Sequence, residues 1–296
     1  MYWKSVAIAL ALSSAVSLEA QQGAASPLSG PQVGVVHVPD GSLRAVYGIP
    51  ANFLYGATLG RGVNAAAFSS TSGLVWRVGQ IDYLAVDGTA LGSYATNEPS
   101  PLLADGSGSQ AGPGAALAWL PSSKQLLSWS GGTLTQVQIE SLPGAVISLS
   151  PAAARGFADL LVAAADGGVD RLTVALATGQ VTEMITVSGA KGAAYEQNGF
   201  LLLPGADGLQ VRFPDGRQQV FGIKTVAVRF EAVSDEWVHL SATEPGATAA
   251  SHWLLHLDGA AQGEAPLQLS GLPAAPQRAP RIMPRQVGNT TVRVAQ

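Results

Sequence analysis

The sequence predicts an all-β repeat protein, a β-propeller of about six four-stranded blades, with five or seven blades as the neighbouring solutions. Three observations predict it. The chain is rich in turn-forming residues, with Gly 35 and Pro 18 in 296 residues, too many for long helices and suited to many short elements. Tight turns recur at near-constant spacing. Between them lie short apolar stretches of strand length. Hydrophobic residues make up 47% of the chain and charged ones only 12%, so there is ample apolar surface to bury and general disorder is excluded.

The turns come first. Pro39-Asp40-Gly41 is followed by SLRAVYGI, and Pro214-Asp215-Gly216 by RQQVFGI. The two copies lie 175 residues apart, close to four periods of about 44, the length of a propeller blade. Between and beyond them stand Asp87-Gly88, Gly131-Gly132, Thr178-Gly179 and Asp258-Gly259. The marking glycines Gly41, Gly88, Gly132, Gly179, Gly216 and Gly259 are spaced by 47, 44, 47, 37 and 43 residues. Asp-Gly and Gly-Gly suit two-residue hairpins, whose central positions need positive φ. Six marks predict six blades.

A second element precedes most marks: an apolar strand ending in a bulky residue, then a polar turn. It appears at Phe68, Trp119, Leu149, Tyr195 and Phe230. A further apolar stretch comes after each, as in GLVWRV, KQLLSW and GFLLLP. Each period then reads strand, turn, strand, turn, strand, Asp-Gly-type turn, strand, which is one blade. The segment after Ser150-Pro151, AAARGFADLLVAAAD, could also form a helix, since it has an N-cap, a proline at the first helical position and Gly167 behind it. The repeat register places a turn where that helix would begin and favours strand.

The stretch SLSPAAARGFADLLVAAADGGVDRLTVALATGQVTEM, residues 148–184, resembles a blade of the WD40-like and quinoprotein-like propeller superfamily. There a Ser-Pro turn, an apolar strand, an Asp-Gly turn and a Thr-Gly turn recur in this order. The Gly-His and Trp-Asp dipeptides of WD40 repeats and the tryptophan docking pattern of quinoprotein blades are absent. The resemblance therefore implies a fold and no particular activity.

The chain reads as three parts. Residues 1–20 have Lys4 ahead of an apolar run from Val6 to Val16, the pattern of a cleavable signal peptide rather than a membrane span. Leu18-Glu19-Ala20 and Ser13-Ser14-Ala15 are the two candidate cleavage sites. Residues 21–274 form the propeller domain. Residues 275–296 hold Arg278, Arg281, Arg285 and Arg293 and no acid. They are read either as a basic Pro/Arg-rich tail or, through RIMPRQ and TTVRVAQ, as strands that close the first blade. The acidic body makes a nucleic-acid partner unexpected. With no cysteine there are no disulfides, no thiolate metal site, no cysteine nucleophile and no lipid-modified cysteine. The domain must be held by its core alone, which a chain of this length can supply.

Few constellations suggest chemistry. His252 and His256 have the spacing of zinc ligands on a helix but lack the intervening Glu. In a strand they would stand about 13 Å apart, so rim or core histidines are expected. Gly60, Gly62 and Ala65 match a dinucleotide-binding pattern with Asp82 downstream, but the next residues, AAAFSSTSGLVWRV, read as strands where that pattern needs a helix. The run Ala104–Pro113 has one carboxylate, Asp105, where calcium loops offer several, and reads as an inter-blade loop. Asp235-Glu236 reads as a solvated turn. Trp76, Trp119, Trp129, Trp237 and Trp253 fall in strands and are expected to fill space between blades. Asn289-Thr290-Thr291 is a glycosylation sequon that matters only in a eukaryotic secretory pathway. No catalytic residue is named, and no metal or cofactor is expected. The reading is an exported, periplasmic or extracellular binding or scaffold protein with a protein or glycan partner. The alternative is a propeller-type hydrolase, lactonase-like or glycoside-acting, with its site in the central channel.

Overall fold

The computed structural model describes residues 31–49, 52–106, 115–130, 132–225 and 227–269. The proposed signal peptide, Asn289 and the 275–296 segment with its two candidate strands lie outside the described residues.

Six antiparallel sheets succeed one another along the chain. The first comprises β1 (Gln32–His37), β2 (Leu43–Ile49) and β3 (Asn52–Gly60). The second comprises β4 (Ala65–Phe68), β5 (Ser72–Arg77), β6 (Gln80–Ala85) and β7 (Ala90–Ala95). The third comprises β8 (Leu102–Gly106), β9 (Ala115–Leu120), β10 (Gln125–Ser130) and β11 (Thr133–Gln138). The fourth comprises β12 (Ala145–Pro151), β13 (Phe157–Ala163), β14 (Val169–Ala175) and β15 (Val181–Thr186). The fifth comprises β16 (Tyr195–Gln197), β17 (Phe200–Gly205), β18 (Gly208–Arg212) and β19 (Gln218–Phe221). The sixth comprises β20 (Ala227–Ala232), β21 (Trp237–Thr243), β22 (Ser251–His256) and β23 (Leu267–Gln268), with a short helix α1 (Leu257–Ala261) before its last strand. Each sheet is a meander, and the six together make a six-bladed β-propeller.

Burial follows position in the blade. The middle strands are buried on both faces, as in WVHLSAT of β21, because each blade is sandwiched between two others. The outer strands are wet: VTEMIT of β15 is mostly exposed. Leu117, Trp119 and Leu126 of the third blade pack against Leu149, Leu160 and Val162 of the fourth. Leu202 and Val211 of the fifth pack with Leu240 and Trp253 of the sixth. Trp119, Trp129, Trp237 and Trp253 are buried between blades as expected, while Trp76 is only partly so. Each fully buried leucine contributes roughly 1.5–3 kcal/mol, so the inter-blade layers take the place of disulfides.

The Asp-Gly turns work by one device. The carboxylates of Asp40, Asp87, Asp166 and Asp215 each accept the backbone N–H two residues on, at 2.8–2.9 Å. The glycine between them takes φ from 78 to 89°. A short acceptor followed by a residue without Cβ is what such a turn needs.

Four expectations need correction. The two Pro-Asp-Gly copies do not occupy one place in the repeat. Gly216 turns between the third and fourth strands of its blade, whereas Gly41 turns between β1 and β2. β1 stands second from the axis, since the inner strand β20 packs directly on β4 and Val35 N donates to Val233 O at 3.0 Å. The first blade thus has three strands and no innermost one among the described residues. The Asp258-Gly259 mark is a helical turn and not a hairpin. Gly259 lacks the positive φ of a hairpin glycine, and a Cβ there would meet only the ends of the Glu264 and His256 side chains. Asp105 ends a strand and is buried, where a loop was expected. Asp235 does not stand in a merely solvated turn, since its carboxylate accepts the Ser70 N–H from another blade. The 151–166 region is strand, turn and strand, with Ser150 paired opposite Asp159.

Candidate functional site in the central channel

Five first strands, β4, β8, β12, β16 and β20, wall the axis. Around their N-terminal ends lies a cavity of about 650 Å³. Its wall is largely small or apolar: Ala65, Leu103, Ile147, Ala193, Val228 and Phe230 contribute to it. Tyr195 of β16 and Phe230 of β20 stack with ring centroids 5.2 Å apart and join those two strands. Each first strand has a sheet neighbour on one side only. Its inner edge therefore points unused backbone groups towards the axis. Two of these are already employed, Ala66 N on Glu231 Oε1 at 3.3 Å and Glu196 N on Ser148 Oγ at 3.3 Å.

The charged part of the wall comes from β20. Its side chains alternate: Val228 and Phe230 pack into the fifth-blade interface, and Arg229 and Glu231 face the other way. Arg229 Nη2 donates to Asn64 O and lies 2.8 Å from Glu231 Oε1. Its side chain is 49% exposed, and neither Nε nor Nη1 has a protein partner among the described residues. Glu231 is buried, 8% exposed. His37 Nδ1 lies 3.2 and 3.3 Å from its two oxygens, and His37 Nε2 donates to Val63 O at 3.1 Å. Both ring nitrogens of His37 therefore face acceptors. Burial alone would raise the Glu231 carboxyl, but His239, His37 and the Arg229 charge outweigh it and hold the group well below the usual carboxylate range.

The chain of groups continues outward. His239 Nδ1 is 3.5 Å from Glu231 Oε2, and His239 Nε2 is 3.0 Å from His252 Nδ1. Burial and the neighbouring His239 push His252 down to about 4. His252 and His256 do not meet: His256 stacks on Trp237 at 4.5 Å and pairs with Glu264 at 3.2 Å. Among the described residues no group of three or more histidine, aspartate or glutamate side chains is arranged to hold a metal ion.

At the C-terminal ends of β4, β8, β16 and β20 lies a polar knot. Ser69 Oγ and Ser72 Oγ donate to Asp105 Oδ2 at 3.2 and 2.8 Å. Ser70 N donates to Asp235 Oδ2 at 3.0 Å. Gln197 Nε2 donates to Ser234 O and Asp235 O, and Asn198 Nδ2 to Asp235 O. These bonds lace four blades. Burial pushes the Asp105 carboxyl up to about 6, with Asp235 adding to the rise. Between the fourth and fifth blades, burial and nearby Asp159 push Glu196 up to about 7, although Arg171 lies 3.4 Å away.

Of the polar residues singled out in the sequence, His252, Asp105 and Asp235 enter these networks, and none of the three lines the cavity. The strand residues Ala65, Trp76, Leu149, Tyr195 and Phe230 do line it; the sequence marked Leu149, Tyr195 and Phe230 only as elements of the repeat, Trp76 as inter-blade filling and Ala65 as part of the dinucleotide pattern. Gly60, Gly62 and Asp82 form no nucleotide cradle: β4 stands where a helix would be needed, and Asp82 pairs with Arg77. Arg229, Glu231, His37 and His239 carried no local signal. His37 and Glu231 meet across 194 residues, a separation no motif spans.

No family model matches the chain, and no curated protein matches it. Solved structures with a similar fold include the WD40 domain of SCAP from fission yeast, at 11% identity and TM-score 0.40, covering 77% of this chain and 63% of that one. The match thus spans less than two thirds of that relative. The WD40 β-propeller domain of Doa1 is similar at 12% identity and TM-score 0.44, covering 70% of this chain and 85% of that one. A protein of unknown function from Bacteroides caccae is similar at 12% identity and TM-score 0.47, with 81% and 94% covered. These are likenesses of fold alone. What the sheets define is the class: a six-bladed β-propeller, with a cavity at one end of its axis and a side-chain hydrogen-bond network at the other among the described residues.

Proposed function

We propose that this chain is an exported binding or scaffold protein of the cell envelope or extracellular space, without enzymatic activity. In this reading residues 1–20 are removed as a signal peptide, residues 21–274 form the propeller, and residues 275–296 are a basic tail or strands that close the first blade. The partner is a protein or a glycan. One observation carries the reading: the cavity on the axis is walled by apolar and small side chains, and its one carboxylate among the described residues, Glu231, is already held by Arg229, His37 and Ala66 N. Hydrolases of glycosides place two carboxyls across a substrate space, and general acid–base chemistry needs a group free to exchange its proton. Arg229 has the opposite character, a permanent cation with open donors, suited to recognition.

The test has two arms. Tagged protein is expressed with its own first 20 residues, and the exported form is sequenced from its N-terminus; a start at Gln21 is expected. That form is then cross-linked in its native envelope and, separately, assayed against lactones, glycosides and peptides. A stoichiometric companion with no turnover supports the proposal. Turnover at enzyme-like rates that is lost in Glu231→Gln would replace it with the channel-hydrolase reading.

A further inference from the structure

We propose that the hollow end of the channel binds the C-terminus of a partner polypeptide that ends in apolar residues, with Arg229 taking the terminal carboxylate. The inference rests on the binding-protein reading and names the chemistry of its ligand.

Three features of one place meet this ligand. The first is charge. Arg229 uses Nη2 for Asn64 O and Glu231; Nε and Nη1, which lie on different edges of the guanidinium, have no partner among the described residues. Each can give one charge-assisted N–H bond to a carboxylate oxygen. The second is shape and polarity. A cavity of about 650 Å³ walled by Ala65, Leu103, Ile147, Ala193 and Phe230 has the size and lining of a site for an apolar ligand. The third is the backbone. The inner edges of five first strands present N–H and C=O groups that no sheet neighbour takes. A peptide main chain can pair with these, whereas a bare hydrocarbon cannot.

The experiment is titration calorimetry of the purified protein with N-acetyl-Leu-Leu-Val as free acid and as C-terminal amide. The acid should bind, and the amide should bind about tenfold or more weakly, because the charge-assisted pair is lost. Arg229→Gln should weaken the acid by a similar factor and leave the amide unchanged. Ala193→Trp, a filling change at an exposed rim position, should abolish binding of both. Each variant is first checked for an unchanged melting temperature and strand signal; if Arg229→Gln unfolds, Arg229→Met, which removes the charge and the donors and keeps a long side chain, takes its place. Equal binding of acid and amide, survival of binding in Ala193→Trp, or no binding of the acid overturns the proposal. If the acid fails while a companion is still captured from the envelope, the channel inference falls and the binding-protein reading stands. If turnover is found, that reading falls as well.

Discussion

The backbone N–H of Val35 donates to the carbonyl oxygen of Val233 at 3.0 Å, and this bond joins the first blade to the last. It brings the second-position strand β1 against the end of the innermost strand β20. Gly34 makes the approach possible: a Cβ there would lie 2.1 Å from Val233 O. Phe53 and Trp237 complete the seam edge to face at 5.5 Å. Gly34→Ala should push the blades apart and cost about 2–3 kcal/mol, the range of overpacked cores. Urea unfolding checks this, and an unchanged midpoint would show that the seam does not hold the ring.

Glu231 collects Arg229, His37 and Ala66 N, and it links three blades. Glu231→Gln should cost about 3–5 kcal/mol, the usual loss when a buried pair is broken from one side. The pH sign comes from the depressed pKa. The stability from Glu231 is present above its ordinary 4.5 and is lost as the solution is acidified towards its lowered folded value. The wild type should therefore lose stability below pH 4.5 faster than the variant.

Asp105 has the opposite sign. Its folded pKa is raised from 3.8 to about 6 by burial, so folding favours the protonated form. Its contribution is fully present below pH 3.8 and is lost as pH rises through 6. At about 1.4 kcal/mol per unit the fall is of order 2–3 kcal/mol. The difference between wild-type and Asp105→Asn unfolding free energies, measured from pH 4 to 7.5, should carry this slope. Parallel profiles would remove Asp105 as its source. Glu196, raised from 4.5 to about 7, adds a second slope of the same sign, separable with Glu196→Gln.

His252 opposes both carboxyls. Its ring is lowered from 6.5 to about 4 by burial and by His239, so folding favours the neutral form. The stability it supports is present above 6.5 and is lost as pH falls through 4. Partial exposure screens the effect, which should be smaller than that of Asp105. Titrating the ring by NMR should give a midpoint near 4. A midpoint at or above 6.5 would mean that the His239 contact is not formed in solution.

Much of the fold was legible along the chain. IDYLAV, QLLSWS and RLTVALA ahead of their turns did become third strands, and Gly88, Gly132, Gly179 and Gly216 mark the turn into the fourth. Local chemistry suffices there, because a short polar residue and a glycine of positive φ define a hairpin within four residues. The same turn at Pro39-Asp40-Gly41 was misplaced in the repeat. A turn motif encodes a reversal of direction and not its distance from an axis. Asp258-Gly259 misled for a related reason: the pair sits in the helical turn α1, and its glycine lacks the positive φ of a hairpin.

The site was not legible. Arg229, Glu231, His37 and His239 stand in three strands of two blades, and only ring closure brings His37 within 4 Å of the others' shared carboxylate. By itself the sequence determined the all-β class, the blade period, the turn positions and the apolar faces that bind blade to blade, because each depends on residues within one repeat. The tertiary structure alone decided which strands reach the axis, which carboxyls are desolvated and which cation is left open on the cavity wall. Those properties depend on burial and on partners from other blades, and a linear pattern carries neither.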